Sequence, residues 1–510
     1  MTQTQTERRV VAYRNNALRY AETLPFDPQY PYPEYPFGPD AIAKENLVYD
    51  AVREVLRDSG LDSKNFGTSL WNPLGDLVSE GGTVLIKPNW VHHYHLYDYD
   101  PYCMITHPSV LRPLVDYAFK AVGPAGHIWM MDAPYYGADF SKLSSLCGLE
   151  AFESVLRARG VPLTIGDLRS FVLKVDRGVV VERIQRHTWS SEGVIFNLGS
   201  DGEVTQLGHK LRNVRRITTS FHRNENVKPG HLYRIARRAL EADLVISVPK
   251  LKTHRKAGVS LNIKNMMGIV TDKNYIPHYR SGSPSEGGDE YPDTKSVKKY
   301  VRRLVVRAAR AGLNGLGETG ERIGHAFMRV FLALRQNQVE KKVGHKMDPV
   351  DLFYYSVQGN DYRMGDWWGN DTCWRGALDV NKILLYGTPD GHLSDSPARR
   401  YLGLIDGIIG GDESGPLAPH VRHEGVLIAG FDPLSVDQVA TQIMGFDPRL
   451  VRDQRRASEL IRYPLANNDL PIRVISNWPE WRDCIRPESA LGFRPHYAWK
   501  EYFERALSQS

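Results

Sequence analysis

Residues 242–254 read ADLVISVPKLKTH. Positions 244–248, LVISV, form a short, nearly continuous apolar run bounded by Asp243 and Pro249. Such a run is the pattern of a strand covered on both faces, as in a parallel sheet. The chain leaves it as Lys250-Leu251-Lys252-Thr253-His254, and the period-two geometry of extended chain puts Lys250, Lys252 and His254 on one face. The same strand-then-helix order recurs on either side. Helical apolar spacing over 41–56 precedes a strand at 83–86. A helix over 110–121, a strand at 127–131, a helix over 149–159, strands at 163–165 and 193–198 and a helix over 232–239 then lead up to 244–248. Beyond it come a helix over 377–384, strands at 402–405 and 426–429, and a helix over 436–444. This alternation predicts an α/β fold, a mostly parallel sheet with flanking helices.

Ligands of open α/β sheets bind beyond the carboxyl ends of the strands. The residues that follow each predicted strand are therefore the candidate site: Lys87-Pro88-Asn89, Asp132, the Lys250–His254 exit, Asp406-Gly407 with the glycine-rich 410–416, and Asp432. Lys264 and Asn265 follow ten residues after His254, beside Gly268. Three lysines and a histidine repel one another unless an anion sits among them, so a carboxylate, phosphate or sulfate is the expected complement. Burial between apolar runs lowers a lysine pKa and yields a neutral amine suited to general-base or Schiff-base chemistry. Lys250, Lys252, His254 and Lys264 are thus the expected catalytic groups. Lys87, Asn89, His107, Asn265, Gly411, Asp412, Gly415 and Asp432 are the expected substrate contacts. The competing reading pairs Lys250 and Lys252 internally with Asp132, Asp412 or Asp432. His107, just before a helix, reads equally as a cap or a ligand. Segment 410–416 reads as a loop whose bare N–H groups cradle an anion, provided a cation or lysine offsets Asp412 and Glu413.

His92, His93 and His95, with Asp98 and Asp100, follow the first strand exit. With Asp132 they are candidate ligands for a divalent metal, His92, His95 and Asp132 foremost. Tyrosines 94, 97 and 99 predict an aromatic surface there instead. The four cysteines, 103, 147, 373 and 484, contain no CxxC pair, which argues against an iron–sulfur cluster, a zinc ribbon or a disulfide scaffold. Neither GxxxxGK[ST] nor a GxGxxG after a first strand is present, so ordinary ATP and NAD sites are not expected.

The 510 residues are 42% hydrophobic and 24% charged, a composition that excludes wholesale disorder. Residues 1–45, rich in proline and aromatics, read as an extended arm, 46–290 as an α/β lobe, 351–485 as its continuation and 486–510 as a tail. Between the two lobe segments, 291–350 reads as an inserted helical hairpin. From Asp293 to Lys346 thirteen Lys/Arg face four Asp/Glu, a net of +9 against +6 for the whole chain, so the rest sums to −3. The chain is therefore no uniform nucleic-acid binder. Val297, Val301, Leu304, Val305 and Ala308 share one helical face, and Phe327, Val330, Phe331 and Leu334 mark a second helix. This basic stretch, Lys295 to about Lys342, reads either as a solvated insertion or as a surface for an acidic partner or anionic membrane. Without a signal peptide or an apolar run of membrane length, a cytoplasmic location, with association at the inner face of a membrane, is expected.

The ordered motifs VLIKPNW (84–90), THPSVLRPLVDYA (106–118), ADLVISVPKLKTHRKAGVSLNIKNMMGIV (242–270), IDGIIGGDESGP (405–416) and AGFDPLSVDQVATQIMG (429–445) resemble the domain of unknown function 362 family. GDWWGNDTCWRGALDVNKILLYG (365–387) is similar to a subgroup found near polysaccharide biosynthesis genes. Some members carry ferredoxin-like cysteines or a secretion signal, and this chain has neither. A looser likeness in fold to lactate racemases implies isomerisation. The resulting expectation is an enzyme acting on an anionic small molecule or activated sugar by epimerase- or racemase-like proton transfer. The alternative is a non-catalytic anion-binding or scaffolding protein docked to a membrane or biosynthetic complex.

Overall fold

The computed structural model describes residues 6–39, 41–135, 137–176, 179–212, 232–316 and 364–507, with isolated positions between 319 and 334. Ten strands form the central sheet. They are β1 (Arg8–Arg14), β2 (Thr83–Pro88), β3 (His127–Asp132), β4 (Leu163–Asp167), β5 (Leu244–Val248), β6 (Lys250–His254), β7 (Gly258–Ser260), β8 (Arg400–Ser414), β9 (Ala418–Gly430) and β10 (Ile472–Ser476). Their order is β10-β1-β9-β8-β5-β2-β3-β4, with β6 and β7 attached beside β8. From β4 to β8 every neighbour is parallel. β8 and β9 then make a long antiparallel hairpin, and β1 pairs antiparallel with β9 and parallel with β10.

Parallel strands need crossovers, and the crossovers supply the helices that cover both faces. Alternate residues of each strand go to opposite cores. Val84, Ile86, Ile128, Met130, Leu244 and Ile246 pack on one side, where α1 (Leu47–Asp58), α2 (Pro108–Val122) and α3 (Leu149–Ala158) lie. Leu85, Trp129, Met131 and Val245 pack on the other, beneath α4 (Asn262–Asn265) and α5 (Cys373–Tyr386). On that same side α6 (Pro433–Met444) covers Val10, Ala12, Ile405 and Ile428. The expected α/β class and largely parallel sheet are what the chain forms.

Several boundaries differ from expectation. Residues 8–14, within the expected extended arm, form a strand of the sheet, because Val10–Tyr13 bury between β9 and β10. The arm beyond runs over α1 and α2, with Tyr35 edge-on to Tyr49 and Phe37 stacked on Phe119. Leu232–Ala236, expected in a helix, is a strand paired with Gly193–Asn197, since Tyr233 and Ile235 alternate inward; the helix begins only at Arg237. Residues 410–414 are not a loop but the end of β8.

In the basic segment, Val297–Gly315 is a helix. The apolar stripe does not pack on the sheet: Val297, Val301, Leu304 and Val305 are 75, 50, 41 and 62% exposed. Arg303 instead anchors the helix, its guanidinium 3.9 Å above the Tyr291 ring and donating to the Pro292 carbonyl at 3.1 Å. Most of the expected second helix, and 335–350, lie outside the described residues. No described helix is long and apolar enough to cross a membrane.

Candidate functional site: a cation-rich cavity at the carboxyl edge

β2, β3 and β5 all end at one edge of the sheet, and β6 continues from β5 past it. A cavity of about 160 Å³ opens there. Its walls come from Lys87 and Asn89 after β2, Asp132 at the end of β3, Lys252 and His254 on β6, and Lys264 and Asn265 on α4. Arg255, Lys256, Lys273 and His278 add to the polar lining with Ser260 and Tyr135, and Pro416 and Leu417 of the β8–β9 turn also border it. Six Lys/Arg thus face a single carboxylate among the lining residues.

The charges divide into compensated and uncompensated groups. Lys87 is fully buried and pairs with Asp132 at 2.7 Å, while Asp132 also accepts the Trp90 amide at 2.7 Å. Gly268 lies against this pair; a Cβ there would stand 2.1 Å from Asp132 Oδ1 and 2.5 Å from Lys87 Nζ, so only glycine fits. Lys256 and Arg255 share Asp366, at 2.5 and 3.6 Å. Lys252, Lys264 and Lys273 have no carboxylate at ion-pair distance among the described residues. The Lys264 ammonium also has no hydrogen-bond partner among them.

Lys252 is held by a chain of amides whose orientation follows from one carbonyl. Asn265 Nδ2 donates to the Lys87 carbonyl at 3.1 Å, which turns its Oδ1 toward Lys87 Nζ (3.0 Å) and Asn89 Nδ2 (3.3 Å). Asn89 must therefore present its Oδ1 to Lys252 Nζ, which donates at 2.9 Å and gives a second hydrogen bond to the Met104 carbonyl at 2.7 Å. Burial first, then the charges of Lys250 and Lys87, push the Lys252 ammonium down to about 7. Lys273, bonded to the Met267 carbonyl at 3.2 Å, is also pushed by burial to about 7.

The two histidines are neutral and differ in tautomer. His254 Nδ1 accepts from the Lys256 and Ala257 amides at 3.0 and 3.3 Å, so its proton is on Nε2. His278 Nδ1 faces the Ile276 carbonyl at 3.1 Å, an acceptor only, so its Nε2 carries a lone pair. Burial and the neighbouring lysines hold both far below the usual imidazole range. The short α4 that delivers Lys264 and Asn265 is pinned by Asp437, which accepts the Asn262 and Ile263 amides at 2.8 Å each.

Other expected site residues stand elsewhere. Lys250 lies outside the cavity, paired at 2.8 Å with buried Asp406 and bonded to Tyr20 of the arm. His107 caps α2: its Nδ1 accepts the Ser109 amide at 3.1 Å while its ring stacks on Tyr20 at 4.2 Å. Asp432 leaves from the opposite end of the sheet, because β9 runs antiparallel and Gly430 sits beside Gly403; it caps α6 by accepting the Ser435 amide at 2.7 Å. Asp412 is held by Arg494 (3.0 Å) and Arg422 (3.5 Å). Gly411 and Gly415 are needed for close packing, since a Cβ would come within 2.7 Å of the Cys103 carbonyl and 2.0 Å of the Thr253 carbonyl respectively.

The expected metal ligands do not converge. His95 spends both ring nitrogens, on the Pro419 carbonyl and the Tyr97 amide, and Asp132 is paired with Lys87. His92 is buried and pushed down to about 3, with no partner for Nδ1. The trio of ligand atoms that does come together among the described residues is Asp412, Glu413 and His420, within 4.8 Å of one another. Arg494 already offsets both of its carboxylates.

Reading the sequence missed Lys256, Lys273 and His278. Lys256 continues the alternation of 252 and 254, a signal present in the chain. Lys273 and His278 return to the cavity only through the turn at Lys273–Tyr275, which no local pattern announces.

Fold and site together define an α/β protein with a surplus of lysine at the carboxyl edge of its sheet. The chain belongs to the family described as Domain of unknown function (DUF362), whose profile matches residues 162–442, more than half of its length. No curated protein and no solved structure matches it.

Proposed function

We propose that the protein is an isomerase-like enzyme that moves a proton at a carbon close to the anionic group of a small molecule. The observation that carries this reading is Lys252, a fully buried lysine held near pH 7 inside a cavity rich in uncompensated cations. A general base works best with a pKa near the operating pH, and Lys252 and Lys273 both meet that condition. Lys264, with no carboxylate at ion-pair distance among the described residues, is the natural contact for the substrate's anionic group. A cavity of 160 Å³ admits a reacting end about the size of benzene, so an activated sugar would enter by one end only. The likeness to a polysaccharide-associated subgroup favours a sugar acid or its precursor as that molecule.

Proton transfer to carbon exchanges substrate hydrogen with solvent whether or not net product accumulates. Small carboxylates and sugar acids incubated with the protein in D2O, followed by proton NMR, are expected to lose one C–H signal. Lys252→Met should abolish the exchange while the folded protein persists. Exchange that survives in folded Lys252→Met and Lys264→Met proteins would rule the reading out.

A second reading rests on a different observation, the outward apolar stripe of the helix Val297–Gly315 within a segment of net charge +9. That combination suits an anionic membrane surface, with the sheet body held at the inner face as a binding or scaffolding unit.

A further inference from the structure

We infer that Lys252 forms a covalent imine with the carbonyl of a small 2-oxo carboxylate, and that Lys273 moves the proton on the neighbouring carbon. This inference rests on the anion-site reading above and names its substrate class.

A neutral primary amine has two N–H donors and one lone pair. Asn89 Oδ1 and the Met104 carbonyl take up two donors, at 2.9 and 2.7 Å. Both partners are acceptors only in this arrangement, so the lone pair is what Lys252 has left for the cavity it lines. Lys264, with no ion pair and no hydrogen bond to its ammonium among the described residues, is free to meet the carboxylate.

Abstracting a proton from carbon leaves an electron pair that needs a sink. Imine formation supplies one. The Lys252 nitrogen attacks the carbonyl carbon and the C=O pair moves to oxygen; one hydrogen of the amine and one proton from solvent pass to that oxygen, which leaves as water, and the nitrogen keeps its other hydrogen as the protonated imine. The protonated imine then draws the electron pair of the adjacent C–H bond as Lys273 takes its proton; return of a proton and hydrolysis restore the amine and the carbonyl. No oxidant or reductant enters. The Nε2–H of His254 and the Nε2 lone pair of His278 bring one hydrogen-bond donor and one acceptor to the same cavity, where they can hold the hydroxyl that departs as water. A three-carbon 2-oxo acid fits within 160 Å³.

The test uses the whole protein with pyruvate and sodium cyanoborohydride, read by intact mass and peptide mapping. The expected result is one reduced pyruvate adduct, mapped to Lys252, blocked by excess oxalate and lost in Lys252→Met. Adduct on Lys273, adduct spread over surface lysines, or no adduct would each overturn the inference. Mapping in the unaltered protein needs no variant, so misfolding of Lys252→Met cannot hide the answer. Oxalate, an anion without a reactive carbonyl, separates the two layers by calorimetry. If oxalate binds and pyruvate leaves no adduct, the imine is wrong and the anion site stands. If neither binds, the anion site falls as well.

Discussion

The behaviour of Lys252 has a pH signature of its own. Its folded pKa is about 7, below the unfolded lysine value of about 10.4. Below pH 7 both states hold the proton, and the folded chain bears the full cost of a buried ammonium. Between about 7 and 10 the folded chain has released the proton and the unfolded chain has not, so the contribution to stability rises with pH. Lys252→Met lacks this dependence. Urea unfolding of both proteins should therefore show their difference moving in favour of the unaltered protein, by up to about 1.4 kcal/mol per pH unit over that window. A pH-independent difference would mean that Lys252 is not desolvated. Gly268→Ala tests the neighbouring contact: a methyl 2.1 Å from Asp132 Oδ1 must part the buried Lys87–Asp132 pair, at a cost of roughly 3 kcal/mol on unfolding.

At the scale of elements, β6 does two jobs with one alternation. Lys252 and His254 reach the cavity, whereas Lys250 on the same face is buried with Asp406. The β6–β8 register explains the split, for Lys250 sits beside Asp406 but Lys252 beside Gly411, with a shift between them. Asp406→Asn should cost about 3–5 kcal/mol by leaving Lys250 uncompensated, and Lys250→Met with Asp406→Leu should recover most of it, measured by denaturant unfolding. The period-two reading of 250–254 put three side chains on one face; Lys252 and His254 line the cavity, whereas Lys250, expected as a catalytic group, pairs with Asp406, a carboxylate outside the expected partners. Strand-then-helix order was legible because each apolar run is bounded by turn residues. Gly410 and Gly411 look like a loop by composition, yet they are strand residues that clear backbone carbonyls, a tertiary demand invisible locally. β1 was hidden for a similar reason. Its partners lie over 400 residues away, and its apolar core is only Val10–Tyr13.

For the molecule as a whole, the helix Val297–Gly315 is the part whose apolar face the sheet leaves uncovered. Flotation with vesicles of increasing phosphatidylserine content should show binding that rises with lipid charge and falls with salt, each basic residue near the surface adding about 1 kcal/mol. Val301→Asp with Val305→Asp should weaken it, because both side chains are more than half or about half exposed. Binding indifferent to lipid charge would leave the helix as a plain insertion. The central claim concerns the other end of the chain's chemistry, the lysine-rich cavity. Calorimetric titration of oxalate into the unaltered protein and Lys264→Met, at pH 6 and pH 9, tests it most directly. Saturable binding at one site is predicted, weaker at pH 9 because Lys252 and Lys273 have lost their charge, and at least about tenfold weaker in Lys264→Met. Binding that is absent at both pH values, or that ignores both pH and Lys264, would contradict the account.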